Sequence, residues 1–203
     1  MTLWQTPALA MILGYLIGSI PFGILLTRFA GAGNLREIGS GSTGATNVLR
    51  TGRKGLAAAT LLLDLGKGLL AVALGNALFG SDSLVNGGAI AGVMAVIGHC
   101  YPVWLRFAGG KGVATMMGVV LGLAWQIGLA FAIMWIGMLA ITRISSAGGI
   151  CAALSAPVAC IVTGRLDLFV ACAAMALIVL WRHRSNISRL MKGDEPHIGG
   201  AKS

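Results

Sequence analysis

Apolar positions in this chain come in long unbroken runs, not with the alternation of a half-buried strand. The runs fall at 5–27, 55–79, 85–105, 113–125, 126–142, 147–163 and 167–182. A helix needs about 20 apolar residues, in a range near 17–25, to cross the hydrocarbon of a bilayer. The pattern predicts an all-α polytopic membrane protein of about seven transmembrane helices, with five to seven as the range the runs allow. The run at 113–125 is short, so it is expected to be tilted, broken, or continuous with its neighbour at Trp125-Gln126. No repeat of roughly 20–50 residues, inverted symmetry or linker divides the sequence, and 1–203 reads as a single integral membrane domain.

Composition agrees with that pattern. Hydrophobic residues make up 57% of the chain and charged residues 10%, against about 25% charged in soluble domains. Mean hydropathy is +0.87. Such a chain cannot clothe a soluble core, whereas its 31 glycines suit membrane helices that approach closely. Cys100, Cys151, Cys160 and Cys172 lie in or beside apolar runs without a C-x-x-C pair. They read as small buried apolar residues, not as a disulfide framework or zinc site. The first run has no basic residue before Arg28, unlike a signal peptide, so it is expected to be retained as a span.

Charge then adds orientation. Fifteen basic and six acidic residues give a net +9. Arg28, Arg36, Arg50, Arg53 and Lys54 lie in the first loop, Arg106 and Lys111 in the third, and Arg143 in the fifth. Arg182, Arg184, Arg189, Lys192 and Lys202 lie in the tail. Only Arg165 falls in an opposite-side loop, and Lys67 falls within a run. The positive-inside rule places the N-terminus outside and the C-terminus in the cytoplasm, as an odd number of spans requires. The same residues could also form a site for anionic substrates.

Four constellations carry candidate chemistry. In the loop Gly39-Ser40-Gly41-Ser42-Thr43-Gly44-Ala45-Thr46-Asn47-Val48-Leu49-Arg50, glycines free the backbone to curl its N–H groups around an anion. Ser40, Ser42 and Thr43 add hydroxyl donors, Asn47 an amide, and Arg50 a fork that matches phosphate. A helix starting near Thr43 would aim its N-terminus at the same point. The turn Gly109-Gly110-Lys111-Gly112 again places N–H groups and one cation before a helical run. It is not a nucleotide-binding Walker loop, because Leu105 stands where that motif needs glycine and Gly112 where it needs Ser or Thr. His183 and Asn186 are spaced to share one face of a continuing helix, and His183 could bind phosphate or act as a base. Asp64 and Lys67 lie inside the second run, where charges pair or line a site. A structural ion pair and a site role are equally open there. His99 reads as support for a neighbouring site and His197 as a solvated tail residue.

Absences narrow the chemistry. Five residues beyond His99, His183 and His197 stand Trp104, Ser188 and Lys202, so the His-x-x-x-x-Asp signature of acyl-CoA glycerol-phosphate acyltransferases is missing. No G-x-S-x-G elbow is present, and acidic residues are too few for a magnesium phosphotransferase site. A reaction run by cations, hydroxyls and backbone N–H groups is expected, with no metal, cofactor or covalent nucleophile. Acyl transfer from an activated acyl phosphate fits.

In this order, Gly-Ser-Ile-Pro-Phe-Gly at 18–23, the Gly39–Arg50 loop, Asp64–Gly68, Gly98-His99 to Gly112, and Trp181 to Gly199 resemble the bacterial acyl-phosphate:glycerol-3-phosphate acyltransferase family along essentially the whole chain. The resemblance implies seven membrane helices with an active site on the cytoplasmic side of a bacterial inner membrane. It implies that acyl phosphate and glycerol 3-phosphate give lysophosphatidic acid and phosphate, with an acyl-phosphate-forming enzyme upstream. It carries over Ser40, Ser42, Arg50, Lys111, His183 and Asn186 as phosphate and substrate ligands, with Thr43, Asn47, Gly109, Gly110 and Gly112 in the same binding set. Ser40, Arg50, Lys111, His183 and Asn186 are the expected catalytic group, and Asp64, Lys67, His99 and Glu195 its structural support. Two other classes account for less of the sequence. A transporter for a phosphorylated metabolite would keep its basic residues at the midplane, and a non-enzymatic subunit binding anionic lipid would not need the Ser/Gly/Arg loop. No nucleic-acid partner is expected.

Overall fold

The computed structural model describes residues 5–80 and 86–198. Residue 85 of the third run, Gly199 of the final motif and Lys202 of the tail lie outside the described residues. All regular structure among the described residues is helical. The first run forms α1 (Gln5–Gly18) and α2 (Phe22–Phe29). They are separated where Pro21, lacking an N–H, cannot continue the ladder, and together span the 23 residues Pro7–Phe29. After the loop comes the single turn α3 (Ala45–Leu49), then the long α4 (Lys54–Phe79). Next come α5 (Gly87–Cys100), α6 (Val113–Leu123), α7 (Trp125–Thr142) and α8 (Ser145–Val162). The chain ends in α9 (Phe169–Arg182) and α10 (Arg184–Lys192), bent by 62° at His183.

Among the described residues five segments have the length and apolarity to cross a membrane, or six if the bent α9–α10 pair is one span. The fourth run, at 113–125, supplies α6, whose 11 residues reach about 16 Å, roughly half the hydrocarbon thickness. It is broken from α7 at Ala124, which is extended at φ −159°. Gly128 packs against Leu121, so α6 and α7 fold back on one another.

Glycine sets how closely the helices pack. Gly14 and Gly18 of α1 face the backbone of Ala91 and Ala95 of α5, while Gly68 of α4 and Gly118 of α6 face Thr115 and Leu65. Any Cβ there would strike a carbonyl oxygen, so these residues allow the backbones to approach. Phe131, Met116, Ile127, Val119 and Met175 fill the core between the helices. Ile133, Ile141, Val158, Val162, Val170 and Leu177 point outward, a surface that hydrocarbon would cover.

The charges inside α4 are paired. Asp64 Oδ1 lies 2.6 Å from Lys67 Nζ and 3.5 Å from His99 Nδ1. Lys67 Nζ also donates to Ile20 O at 2.8 Å, where the α1–α2 break leaves a carbonyl outside the helical ladder, and lies 5.6 Å from the Phe22 ring. The group joins the α1–α2 break, α4 and α5 in the interior.

Candidate anion-binding site

The first loop is organised around Asn47. This residue is buried; its Nδ2 donates to Leu35 O (2.9 Å) and Ser42 O (3.0 Å), and its Oδ1 accepts from Ser40 N (3.2 Å) and Arg50 Nη1 (3.4 Å). Its amide is therefore occupied in shaping the loop. Asn47 is expected among the substrate-binding residues, and here both of its polar atoms have partners within the loop. Thr43 is buried as well, its carbonyl packed on Gly23. Gly39 adopts φ +54°, and Arg50 lies across the space a side chain would fill, with Nη1 at 2.5 Å from a Cβ built there. Two demands thus select glycine at one position. Ser40 and Arg50 are exposed, and Ser40 Oγ donates to Ser42 Oγ at 3.0 Å. The helix expected from Thr43 begins at Ala45 and lasts one turn. It is too short to offer a useful dipole, so the anion-binding capacity of this loop rests on hydroxyls and Arg50.

The Gly109–Gly112 turn folds back over the end of α5. Gly109 N donates to Cys100 O (3.1 Å) and Gly110 N to His99 O (3.0 Å). A Cβ on Gly110 would overlap the His99 ring, so His99 supports this turn from beneath. Gly112, at φ +87°, caps α6. Lys111 Nζ then donates to Asn186 Oδ1 at 2.6 Å.

At the α9–α10 bend, Asn186 Nδ2 donates to Glu195 Oε1. Glu195 Oε1 also accepts from Ser146 Oγ (2.7 Å) and Oε2 from Arg189 Nε (2.7 Å). Burial opposes the charge of Glu195, but donors Ser146, Asn186 and Arg189 outweigh it and hold its carboxyl below the usual range. Burial, and behind it the repulsion of Arg189, Arg50 and Arg182, pushes the ammonium of Lys111 down to about 8, with Glu195 pulling the other way. His183 is pushed down to about 4, chiefly by burial. Its Nδ1 lies 2.8 Å from Val179 O. A carbonyl only accepts, so Nδ1 carries the proton and Nε2 presents a lone pair.

Three segments distant in sequence are thus brought to one end of the bundle: the first loop, the glycine turn and the helix bend. The fifth loop joins them, although its sequence suggests only a topological role. Ser145 Oγ lies 2.8 Å from Thr46 Oγ1, and Ser146 is bonded to Glu195. Hydroxyls beside Arg143 in a basic loop were the signal that could have found them. Two clefts lie elsewhere: one of about 380 Å³ between α1 and α4 beside Leu13 and Phe79, and one of about 480 Å³ beside Arg28 and Leu35. Neither contains the residues of this cluster.

Fold and site together define a polytopic membrane protein with a cationic, hydroxyl-rich centre at one end of its helices. The chain belongs to the glycerol-3-phosphate acyltransferase family, whose model matches residues 8–193. It is 53% identical to the glycerol-3-phosphate acyltransferase of Maricaulis maris, covering 94% of this chain and 86% of that protein. It is 56% identical to that of a Ruegeria species, covering 92% and 91%. Among solved structures it is similar to PlsY (YgiH), an integral membrane glycerol 3-phosphate acyltransferase in its glycerol 3-phosphate form. There the TM-score is 0.89, at 35% identity over 96% of both chains.

Proposed function

We propose that this chain transfers a fatty acyl group from acyl phosphate to the 1-hydroxyl of glycerol 3-phosphate, releasing lysophosphatidic acid and phosphate. It does so at the cytoplasmic face of a bacterial inner membrane, with its N-terminus outside and its C-terminus inside. An acyl-phosphate-forming enzyme supplies the donor. The observation that carries this reading is the junction of Lys111, Asn186, Glu195 and Ser146. Arg50, Arg182 and Arg189 act on the same ammonium. Two phosphorylated substrates require several cations at one place, and this is where the chain assembles them. The similar structures described as glycerol 3-phosphate and lysophosphatidic acid forms of PlsY support the acceptor and product.

The roles follow from chemistry. Lys111 and Arg50 neutralise phosphate, and Ser40 and Ser42 add hydroxyl donors beside Arg50. The acceptor hydroxyl attacks the acyl carbonyl carbon, the bond from that carbon to the phosphate oxygen breaks, and phosphate departs. His183 Nε2 accepts a hydrogen bond from the attacking hydroxyl and orients it. An imidazole whose conjugate acid ionises at about 4 is a weak base, whereas a phosphate ester's second ionisation lies near 6. A substrate phosphate takes the hydroxyl proton, as the family resemblance implies, and His183 positions the hydroxyl. Asp64, Lys67 and His99 support the turn without touching substrate.

The test is turnover by purified protein in detergent or lipid mesophase, given glycerol 3-phosphate with palmitoyl phosphate or palmitoyl-CoA. Release of phosphate and formation of lysophosphatidic acid from the acyl phosphate alone is expected. Turnover only with the CoA ester would overturn the donor, and turnover with neither would overturn the reaction.

A further inference from the structure

The segment from Tyr101 to Gly112 holds an unusual backbone. Arg106 and Phe107 sit consecutively in the left-handed region, at φ 50° and 61°, and Gly112 follows at 87°. Side-chain-bearing residues adopt that region at a cost, so surrounding contacts must impose it. α1 provides some of them. Tyr15 Oη donates to Tyr101 O (2.9 Å), and Trp104 Nε1 donates to Ser19 O (2.7 Å). Others come from two arginines to which no contact with substrate is assigned above. Arg182 Nε donates to Gly110 O (2.9 Å) and its Nη2 to Gly109 O (3.0 Å), with the guanidinium 5.0 Å from the Tyr101 ring. From the first loop, Arg36 Nη2 donates to Ala108 O (3.1 Å) and Leu105 O (3.4 Å). A trans peptide points its C=O and the following N–H in opposite directions. Gripping Gly110 O therefore aims the Lys111 N–H away from Arg182 and fixes where the Lys111 side chain departs.

We propose that Arg182 and Arg36 are positioning residues of the acyl transfer. They lock the Tyr101–Gly112 turn, from the last helix and the first loop, so that Lys111 and the start of α6 are held at the substrate phosphate. Arg182 locks the turn with its planar fork and not its charge alone, and Arg36 with one nitrogen shared between two carbonyls. This rests on the function proposed above. It explains why the first loop and the tail assemble on the third loop.

The experiment compares Arg182→Lys, Arg182→Gln and Arg36→Gln with the natural protein, using glycerol 3-phosphate and palmitoyl phosphate. Two readouts accompany turnover: inhibition by inorganic phosphate, and thermal stabilisation by glycerol 3-phosphate. Loss of two charge-assisted hydrogen bonds to the turn predicts a KM rise of about tenfold or more in both Arg182 variants, with a smaller loss in kcat. Phosphate inhibition weakens in parallel. Arg36→Gln moves in the same direction by about threefold or more. Lys111 also faces Arg50, His183, Arg189 and Glu195. Removing the Arg182 charge in Arg182→Gln shifts the alkaline limb of kcat/KM to higher pH, and Arg182→Lys leaves the limb in place. A merely structural defect would move neither limb in that selective way. Folded Arg182→Lys and Arg36→Gln variants with wild-type KM and phosphate inhibition would overturn the proposal. Arg36 is exposed, so its variant carries the test if Arg182→Gln does not fold. A natural protein that is inactive with both donors sinks the reaction, while stabilisation by glycerol 3-phosphate still decides whether the two arginines order the turn.

Discussion

Lys111 Nζ donates to Asn186 Oδ1 at 2.6 Å, joining two residues that lie 75 positions apart. Asn186 can accept this bond because its own amide N–H is committed to Glu195. The lysine is thereby held at the meeting point of the glycine turn and the α9–α10 bend.

This placement predicts a pH profile. Lys111 must be cationic to hold phosphate, and its ammonium is pushed down to about 8. The cation is complete well below that pH and is lost as pH rises through it. kcat/KM reports the free enzyme, so it should fall along an alkaline limb centred near pH 8. Lys111→Arg should move that limb beyond the measurable range, even at reduced activity. A profile flat up to pH 10 in the natural protein would refute this role.

Arg50 is exposed, with only one guanidinium nitrogen bonded to Asn47. Arg50→Ala should abolish nearly all acyl transfer while the protein inserts in the membrane normally. Arg50→Lys should retain an intermediate rate, since it keeps charge without the bidentate fork. Full activity in Arg50→Ala would remove Arg50 from the phosphate site.

His183 predicts how stability responds to acid. Its folded value of about 4 lies below the ordinary value near 6.5, so the unfolded chain binds more protons between those limits. Stability should be complete above about pH 6.5 and decline as pH falls toward 4. The fall amounts to at most about 3 kcal/mol. Thermal inactivation of His183→Gln should lack this component of the pH slope. An unchanged slope would place its origin elsewhere.

Asp64 and Lys67 are both buried and lie 2.6 Å apart. Lys67→Met should cost about 3–5 kcal/mol, because it leaves a carboxylate in the interior without its cation. The double variant Asp64→Asn with Lys67→Met should be distinctly more stable than Lys67→Met alone. Thermal midpoints that simply add would mean the two charges do not neutralise each other.

Most of the architecture is legible residue by residue, because a bilayer demands long apolar helices whatever their packing. The helix start after Gly112 follows from local rules, whereas the run 5–27 reads as one span and the structure breaks it at Pro21. The length of α6 does not follow from local rules either. Its run looks like a short span, and only its return against α7, with Gly128 on Leu121, makes 11 residues sufficient. In the site, Arg50, Lys111, His183 and Asn186 stand out because dense cations, hydroxyls and glycine have no role in a plain linker. Asn47 looks the same as its neighbours in sequence, and only its four hydrogen bonds reveal an organiser.

The sequence by itself determined the membrane class, the apolar segments, the basic loops and the chemical character of the site. These depend on composition and on spacing along the chain. Tertiary structure alone decided that Ser146 and Asn186 share Glu195, that Thr46 meets Ser145, and that Arg182 grips Gly109 and Gly110. The physical reason is that hydrogen bonds between segments dozens of residues apart depend on how closely glycine lets the helices approach and on where each helix breaks, and no local pattern encodes that geometry.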